Sequence, residues 1–113
     1  MGESVLVAVG EGEAVGFLVS SRAADEAEVL NVAVHPSWRR RGIARQLLHR
    51  LLIELRAVGV ERCHLEVRVS NNPAQSLYRS LGFVEQAIRK DYYRSINGRE
   101  DALLMQLPLE ASR

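Results

Sequence analysis

The sequence predicts a mixed α/β domain, one sheet with helices covering it, in the order βββαβαββ. Three observations lead there. From Gly42 onward apolar residues recur at helical spacing, at Ile43, Leu47, Leu48, Leu51, Leu52 and Leu55. On either side of that helix, short runs rich in Val and Leu are separated by glycine, proline and asparagine signals, as strands are. No repeat, linker or low-complexity tract interrupts residues 1–113, so the chain reads as one unit.

Val5 to Val9 is the first strand, and Gly10-Glu11-Gly12-Glu13 turns it into a second, Ala14 to Ser20. Arg22 to Glu26 is a polar connection to a third strand, Glu28 to Val34, which His35-Pro36 stops because proline brings no N–H to a ladder. The long helix comes next, with Arg45, His49, Arg50, Glu54 and Arg56 on its polar side and Gly59 at its end. Cys63 to Val69 alternates, sending Cys63, Leu65, Val67 and Val69 to one face and His64, Glu66 and Arg68 to the other. Asn72-Pro73-Ala74-Gln75 has the form of a helix start with Asn72 as cap and Gln75 completing a capping box. That second helix runs to Leu81, where Gly82 ends it. Phe83 to Arg89 and Ala102 to Leu107 close the sheet as a pair, with Asn97-Gly98 turning between them.

Composition narrows the class. With 113 residues the chain has room for one domain, and 47% hydrophobic and 26% charged residues suit a globular protein. Fifteen basic and 14 acidic residues leave a formal charge of +1, which gives no bulk attraction to nucleic acid or to a membrane surface. The lone Cys63 has no disulfide partner, and the start lacks the basic and apolar regions of a secretory signal, so a reduced, cytoplasmic setting is expected. Cys63 falls among apolar alternates and reads as core, and His35, His49 and His64 share no metal-ligand spacing.

The chemistry gathers around Arg39-Arg40-Arg41-Gly42-Ile43-Ala44, between the third strand and the long helix. The first N–H groups of a helix have no internal partner, and small residues let a ligand approach them closely. With arginines alongside and the helix dipole behind, this is a site for an anion the size of a diphosphate, although a basic, solvated helix start would look the same.

The motif, Arg-x-x-Gly-x-Ala, and the order of elements around it resemble the GNAT family of N-acetyltransferases. Leu65-Glu66-Val67-Arg68, Ser70-Asn71-Asn72, Leu77-Tyr78-Arg79-Ser80-Leu81-Gly82-Phe83, Arg89-Lys90-Asp91-Tyr92-Tyr93 and Gly98-Arg99-Glu100-Asp101-Ala102 narrow the resemblance to the RimI-type ribosomal-protein alanine N-acetyltransferases, as does Asn31-Val32-Ala33-Val34 before the loop. The resemblance implies that acetyl-CoA is the acyl donor and that no metal is used. It also implies that Val32, Ala33 and Val34 pair with the pantetheine arm, that Arg39, Arg40, Arg41, Gly42, Ile43, Ala44 and Arg45 hold the diphosphate, and that Asn71 touches the cofactor. By the same resemblance Glu66 is the base that takes a proton from the acceptor amine, and Tyr78 is the acid that protonates the departing thiolate. An α-ammonium has a pKa near 8 and an ordinary glutamate about 4.3, so a water relay or a raised carboxylate pKa is required. His64 shares the face of Glu66 and is a minor candidate for the proton path, and Tyr92 and Tyr93 border the acceptor channel.

The acceptor implied is a protein N-terminal α-amine, with the N-terminal alanine or serine of a ribosomal protein foremost and transfer direct, in a ternary complex. A small amine, a lysine side chain, or a non-catalytic acyl-CoA-binding module are the alternatives. Relatives begin with a strand and two helices that this chain lacks by the resemblance. Val5 to Val9 would then be a sheet edge open to a second copy, a homodimer that light scattering would detect, and the acceptor groove would be more open.

Overall fold

The computed structural model describes residues 2–96 and 98–110. Six strands form one sheet in the order β1-β2-β3-β4-β6-β5. In the chain they are β1 (Gly2–Gly10), β2 (Glu13–Ala23), β3 (Glu26–Val34), β4 (Arg62–Arg68), β5 (Val84–Ser95) and β6 (Gly98–Pro108), with α1 (Ile43–Ala57) between β3 and β4 and α2 (Asn72–Ser80) between β4 and β5. A short 3-10 turn, Pro36–Trp38, precedes α1. The expected order βββαβαββ is the observed one, with longer strands: the polar connection expected over Arg22 to Glu26 shrinks to Ala24-Asp25, because β2 and β3 pair as far as Ala23 and Glu26. Asn97, expected in the last turn, lies outside the described residues.

The sheet has one dry face. Leu47, Leu48, Leu51, Leu52 and Leu55 of α1 bury against Leu18, Val29, Cys63, Leu65, Val67, Leu103 and Met105. Each such leucine contributes roughly 1.5–3 kcal/mol over an exposed one, so the helix stripe anchors the sheet. The opposite face carries the alternate residues, among them exposed Val5, Val7 and Val9 of β1 and Phe17 of β2. No described helix is long and apolar enough to span a membrane.

Of the irregularities in the ladder, two shape the surface described below. β3 and β4 are the only parallel neighbours among the described residues, and their register stops at Val29↔Leu65. At that level the β2–β3 register slips, from Val19↔Asn31 to Ser20↔Val29, leaving Leu30 as a bulge residue. Beyond it β3 follows β2, β4 follows β6, and the two strands diverge. The second irregularity lies between Arg89↔Ala102 and Tyr93↔Glu100, where β5 holds two residues more than β6. Asp101 fixes this bulge by accepting the Asp91 N–H at 2.9 Å, and Arg99 donates to the Asp91 carbonyl at 3.2 Å.

Candidate functional site

The diverging ends of β3 and β4 open a cleft of about 200 Å³ lined by Leu30, Asn31, Val32, Glu66, Asn71, Tyr78 and Tyr93, among others. On its β3 side, the backbone edge of Asn31–Val34 that faces β4 has no strand partner among the described residues, while the other edge is taken by Gly16, Phe17 and Leu18. An extended ligand carrying amides would find donors and acceptors there.

Beyond Val34 the chain turns into α1. Gly42, the N-cap, sits at φ 78°, and Arg40 at φ 63° is held in a region a non-glycine residue seldom visits. No described side chain caps the helix start, so its first N–H groups are free to bind an anion. A Cβ at Gly42 would meet nothing within 4 Å, so the backbone here is open to a ligand. A second cleft of about 320 Å³ runs past this turn, lined by Val34, Arg39, Arg40, Gly42, Ala44, Arg45, Pro73 and Leu77. The donor set fits a diphosphate-bearing group. The arginines divide the work: Arg39 Nε donates to the Val34 carbonyl at 3.2 Å, Arg41 lies 4.5 Å over the Trp38 ring, and Arg45 reaches Ser80 Oγ at 2.7 Å. Arg40 makes no ion pair among the described residues.

Tyr78 owes its place to how α2 ends. Phe83 N–H bonds to the Tyr78 carbonyl and Gly82 N–H to that of Arg79, both at 3.0 Å, with Gly82 at φ 104°. This is a Schellman ending, which brings the residue after the glycine back onto the last turn. Here that residue is Phe83, 1% exposed, and Tyr78 packs edge-on against it at 6.0 Å. Burial, and to a lesser degree the nearby Tyr93, pushes the Tyr78 hydroxyl above its usual pKa, so it stays protonated at neutral pH. The cap at the other end is Asn71, not Asn72 as the Asn72-Pro73 pattern suggested: Asn71 Oδ1 accepts the Ala74 N–H at 3.2 Å. Gln75 is no capping-box partner either. It is buried and donates to the carbonyls of Arg68 and Val69, at 3.2 and 2.8 Å, tying the end of β4 to α2.

Glu66 projects to the face away from the helices, with His64 and Arg68. Arg89 of β5 reaches it at 3.1 Å across the intervening strand β6. The pair is diagonal: on β6, Leu104 stands opposite Glu66 and the small Ala102 opposite Arg89. Arg89 also lies 4.7 Å over the Tyr92 ring, Arg68 lies 4.4 Å over Tyr93, and the two tyrosines meet edge-on at 5.1 Å. Glu100 accepts from Ser70 N–H at 2.7 Å and from Arg68 at 3.5 Å, contacts that hold its carboxyl below the usual range. Burial, then the charge of Glu66, pushes the Tyr93 hydroxyl up. A third cleft of about 320 Å³ on this face joins Glu66, Tyr92 and Tyr93 to Glu28 and Leu30.

The expected site residues therefore gather along one path: Arg40, Gly42 and Ala44 at the α1 turn, Val32 to Val34 on the open edge, Asn71 and Tyr78 from α2, Glu66 and the tyrosines beyond the opening. His64 is turned elsewhere, its Nε2 2.8 Å from Glu26 Oε1, which Arg62 shares at 3.1 Å. Cys63 is fully buried, and burial pushes its thiol up to about 12, so it is no nucleophile. Arg89, Gln75 and Glu100 escape sequence reasoning as site residues. Arg89 and Glu100 act through partners distant in sequence that only the strand register reveals, and Gln75 turns back to carbonyls six and seven residues earlier.

The sheet opens where two parallel strands part beside a bulge, and next to that opening an uncapped helix start faces a cleft that a carboxylate and a phenol share. The profile of the acetyltransferase (GNAT) family matches residues 2–83, and this chain belongs to that family. It is 46% identical over 98 residues to the [ribosomal protein bS18]-alanine N-acetyltransferase of Escherichia coli K12, an alignment spanning 87% of this chain and 66% of that protein. The chain thus covers just under two thirds of that curated relative's length. Among solved structures, the ribosomal-protein-S18-alanine N-acetyltransferase from E. coli superposes with a TM-score of 0.93 at 40% identity, over 98% of this chain and 72% of that one. The ribosomal-protein-alanine N-acetyltransferase from Brucella melitensis gives 0.84 at 32% identity, over 93% and 68%.

Proposed function

We propose that this protein is an acetyl-CoA-dependent N-acetyltransferase whose acceptor is a protein N-terminal α-amine, with the N-terminal alanine of ribosomal protein bS18, named in its relatives, as the foremost case. The observation that carries this reading is the opening between β3 and β4: Tyr78 from the helix face and Glu66 from the other face line the same cleft. A donor on one side and an acceptor on the other could meet there directly.

Acetyl-CoA, when bound, supplies the acetyl group as an activated thioester. The first N–H groups of α1 and Arg40 hold the diphosphate, and the free edge of Val32–Val34 aligns the pantetheine arm and polarises the acyl carbonyl through a backbone N–H. Transfer would make the N–C bond to the acceptor and release the thiol of coenzyme A from the broken C–S bond. Glu66 takes the amine proton through a bridging water, and Tyr78 gives its hydroxyl proton to the departing sulfur. Tyr92 and Tyr93 wall the acceptor side. Cys63, buried and protonated, leaves transfer direct, in a ternary complex. For assembly, the outer edge of β1, unpaired among the described residues, supports pairing with a second copy.

The test is acetylation of an alanine-initiated peptide, read by mass spectrometry, with polyamines and a lysine peptide as rival acceptors. Glu66→Gln is expected to lower kcat by about 10²-fold or more and Tyr78→Phe by about 10- to 10²-fold. Equal rates in wild type and both variants would refute the assigned roles, and faster transfer to a polyamine would refute the acceptor.

A further inference from the structure

We propose that Glu28 reads the charge of the acceptor, favouring a peptide with a basic side chain two or so residues beyond the amine. The inference rests on the proposed acetyltransferase function and deepens it.

The carboxylates near the acceptor cleft are mostly spoken for. Glu66 is held by Arg89, Glu100 by Arg68 and Ser70, and Glu26 by Arg62 and His64. Glu28 makes no ion pair among the described residues, yet it lines the same cleft as Glu66, Tyr92 and Tyr93. The register gives its distance from the reacting end. Glu28 stands opposite His64, and Glu66 lies two residues further along β4 on the same face. Neighbouring strands about 4.8 Å apart, with about 3.3 Å of rise per residue, set the Cα atoms of Glu28 and Glu66 about 8 Å apart. An extended peptide advances about 3.3–3.6 Å per residue, so an amine at Glu66 puts its second or third residue level with Glu28.

Chemistry then selects the occupant. An acceptor lying in this cleft passes a carboxylate with no cation of its own, beside Tyr92 and Tyr93, whose arginines are already held over their rings and on Glu66 and Glu100. A Lys or Arg side chain there meets an unpaired charge, whereas an acidic one meets repulsion. Because Glu28 is exposed, water screens it, and the preference is moderate and salt-dependent.

The experiment compares two peptides, Ala-Arg-Arg and Ala-Gln-Gln with a common continuation, in wild type, Glu28→Gln and Glu28→Lys. Steady-state acetylation gives kcat/KM, and calorimetric titration of each peptide in the presence of coenzyme A gives Kd. Wild type is expected to favour the basic peptide by about 2- to 5-fold in either measure, less at about 0.5 M salt. Glu28→Gln should remove that ratio and Glu28→Lys should invert it. No preference in wild type, or one that survives Glu28→Gln, overturns the inference. Failure of the enzymatic reading looks different, with neither peptide acetylated while the binding ratio still decides Glu28.

Discussion

The two sides of the cleft are built from different materials. The α1 side is backbone: an uncapped helix start, a glycine at φ 78° and a strand edge without a partner among the described residues. The β4–β6–β5 side is side chains locked to one another, Glu66 on Arg89, Arg68 on Tyr93 and Glu100, Gln75 on the end of β4. Backbone amides present the same donors whatever residues carry them, which suits a ligand that does not change. Side chains can be exchanged one at a time, so this side can be altered without disturbing the other.

That contrast can be broken from either side. The largest effect is expected on the backbone side. Gly42→Glu forces a side chain onto a left-handed backbone and sets a carboxylate where the helix dipole favours an anion. Coenzyme A affinity by calorimetry is expected to fall by about 10-fold or more, since two like charges would now meet at that helix start. Unchanged affinity would mean that the diphosphate lies elsewhere. On the other side, Gln75→Leu leaves the Val69 carbonyl without its donor, while the Arg68 carbonyl keeps the Asn71 N–H. A buried acceptor left unsatisfied costs about 1–3 kcal/mol, so thermal unfolding should move down by about 5–10 °C. A melting point indistinguishable from wild type would show that water replaces Gln75 freely.

Most of the fold was legible because its signals are local. The leucine stripe of α1, the alternation of Cys63 to Val67 and the Leu81-Gly82-Phe83 ending each lie within a short stretch of chain. The Arg39-to-Ala44 turn was legible for the same reason, whereas the roles of Glu66 and Tyr78 come only from the resemblance, and the structure brings both side chains to one cleft. What escaped depends on register. Arg89 meets Glu66 diagonally across β6, a pairing that follows from the register of three strands. Gln75 fits a capping box by spacing, yet Asn71 caps the helix and Gln75 turns inward to β4. The strand ends at Arg22, Ala23 and Glu26 are polar and look like loop, but ladder pairing continues through them.

Glu100 offers the smallest effect and the sharpest distinction, because its charge ties Ser70 and Arg68 together beside Tyr93. Its carboxylate accepts from Ser70 N–H at 2.7 Å and pairs with Arg68, which lies over Tyr93. Those bonds favour the ionised form, so the folded pKa lies below the unfolded one. A depressed carboxylate stabilises the fold at pH above its unfolded pKa, and the contribution fades as pH falls through the folded value. Glu100→Gln should therefore melt a few degrees below wild type at about pH 7, and the two curves should converge below about pH 4. Because Tyr93 then loses part of its support, the variant's KM for the acceptor peptide is expected to rise while its Kd for coenzyme A stays put. Equal melting points across that pH range would show that the Arg68–Glu100–Ser70 contacts add no stability. Loss of coenzyme A binding would show that the two sides of the cleft are not separable.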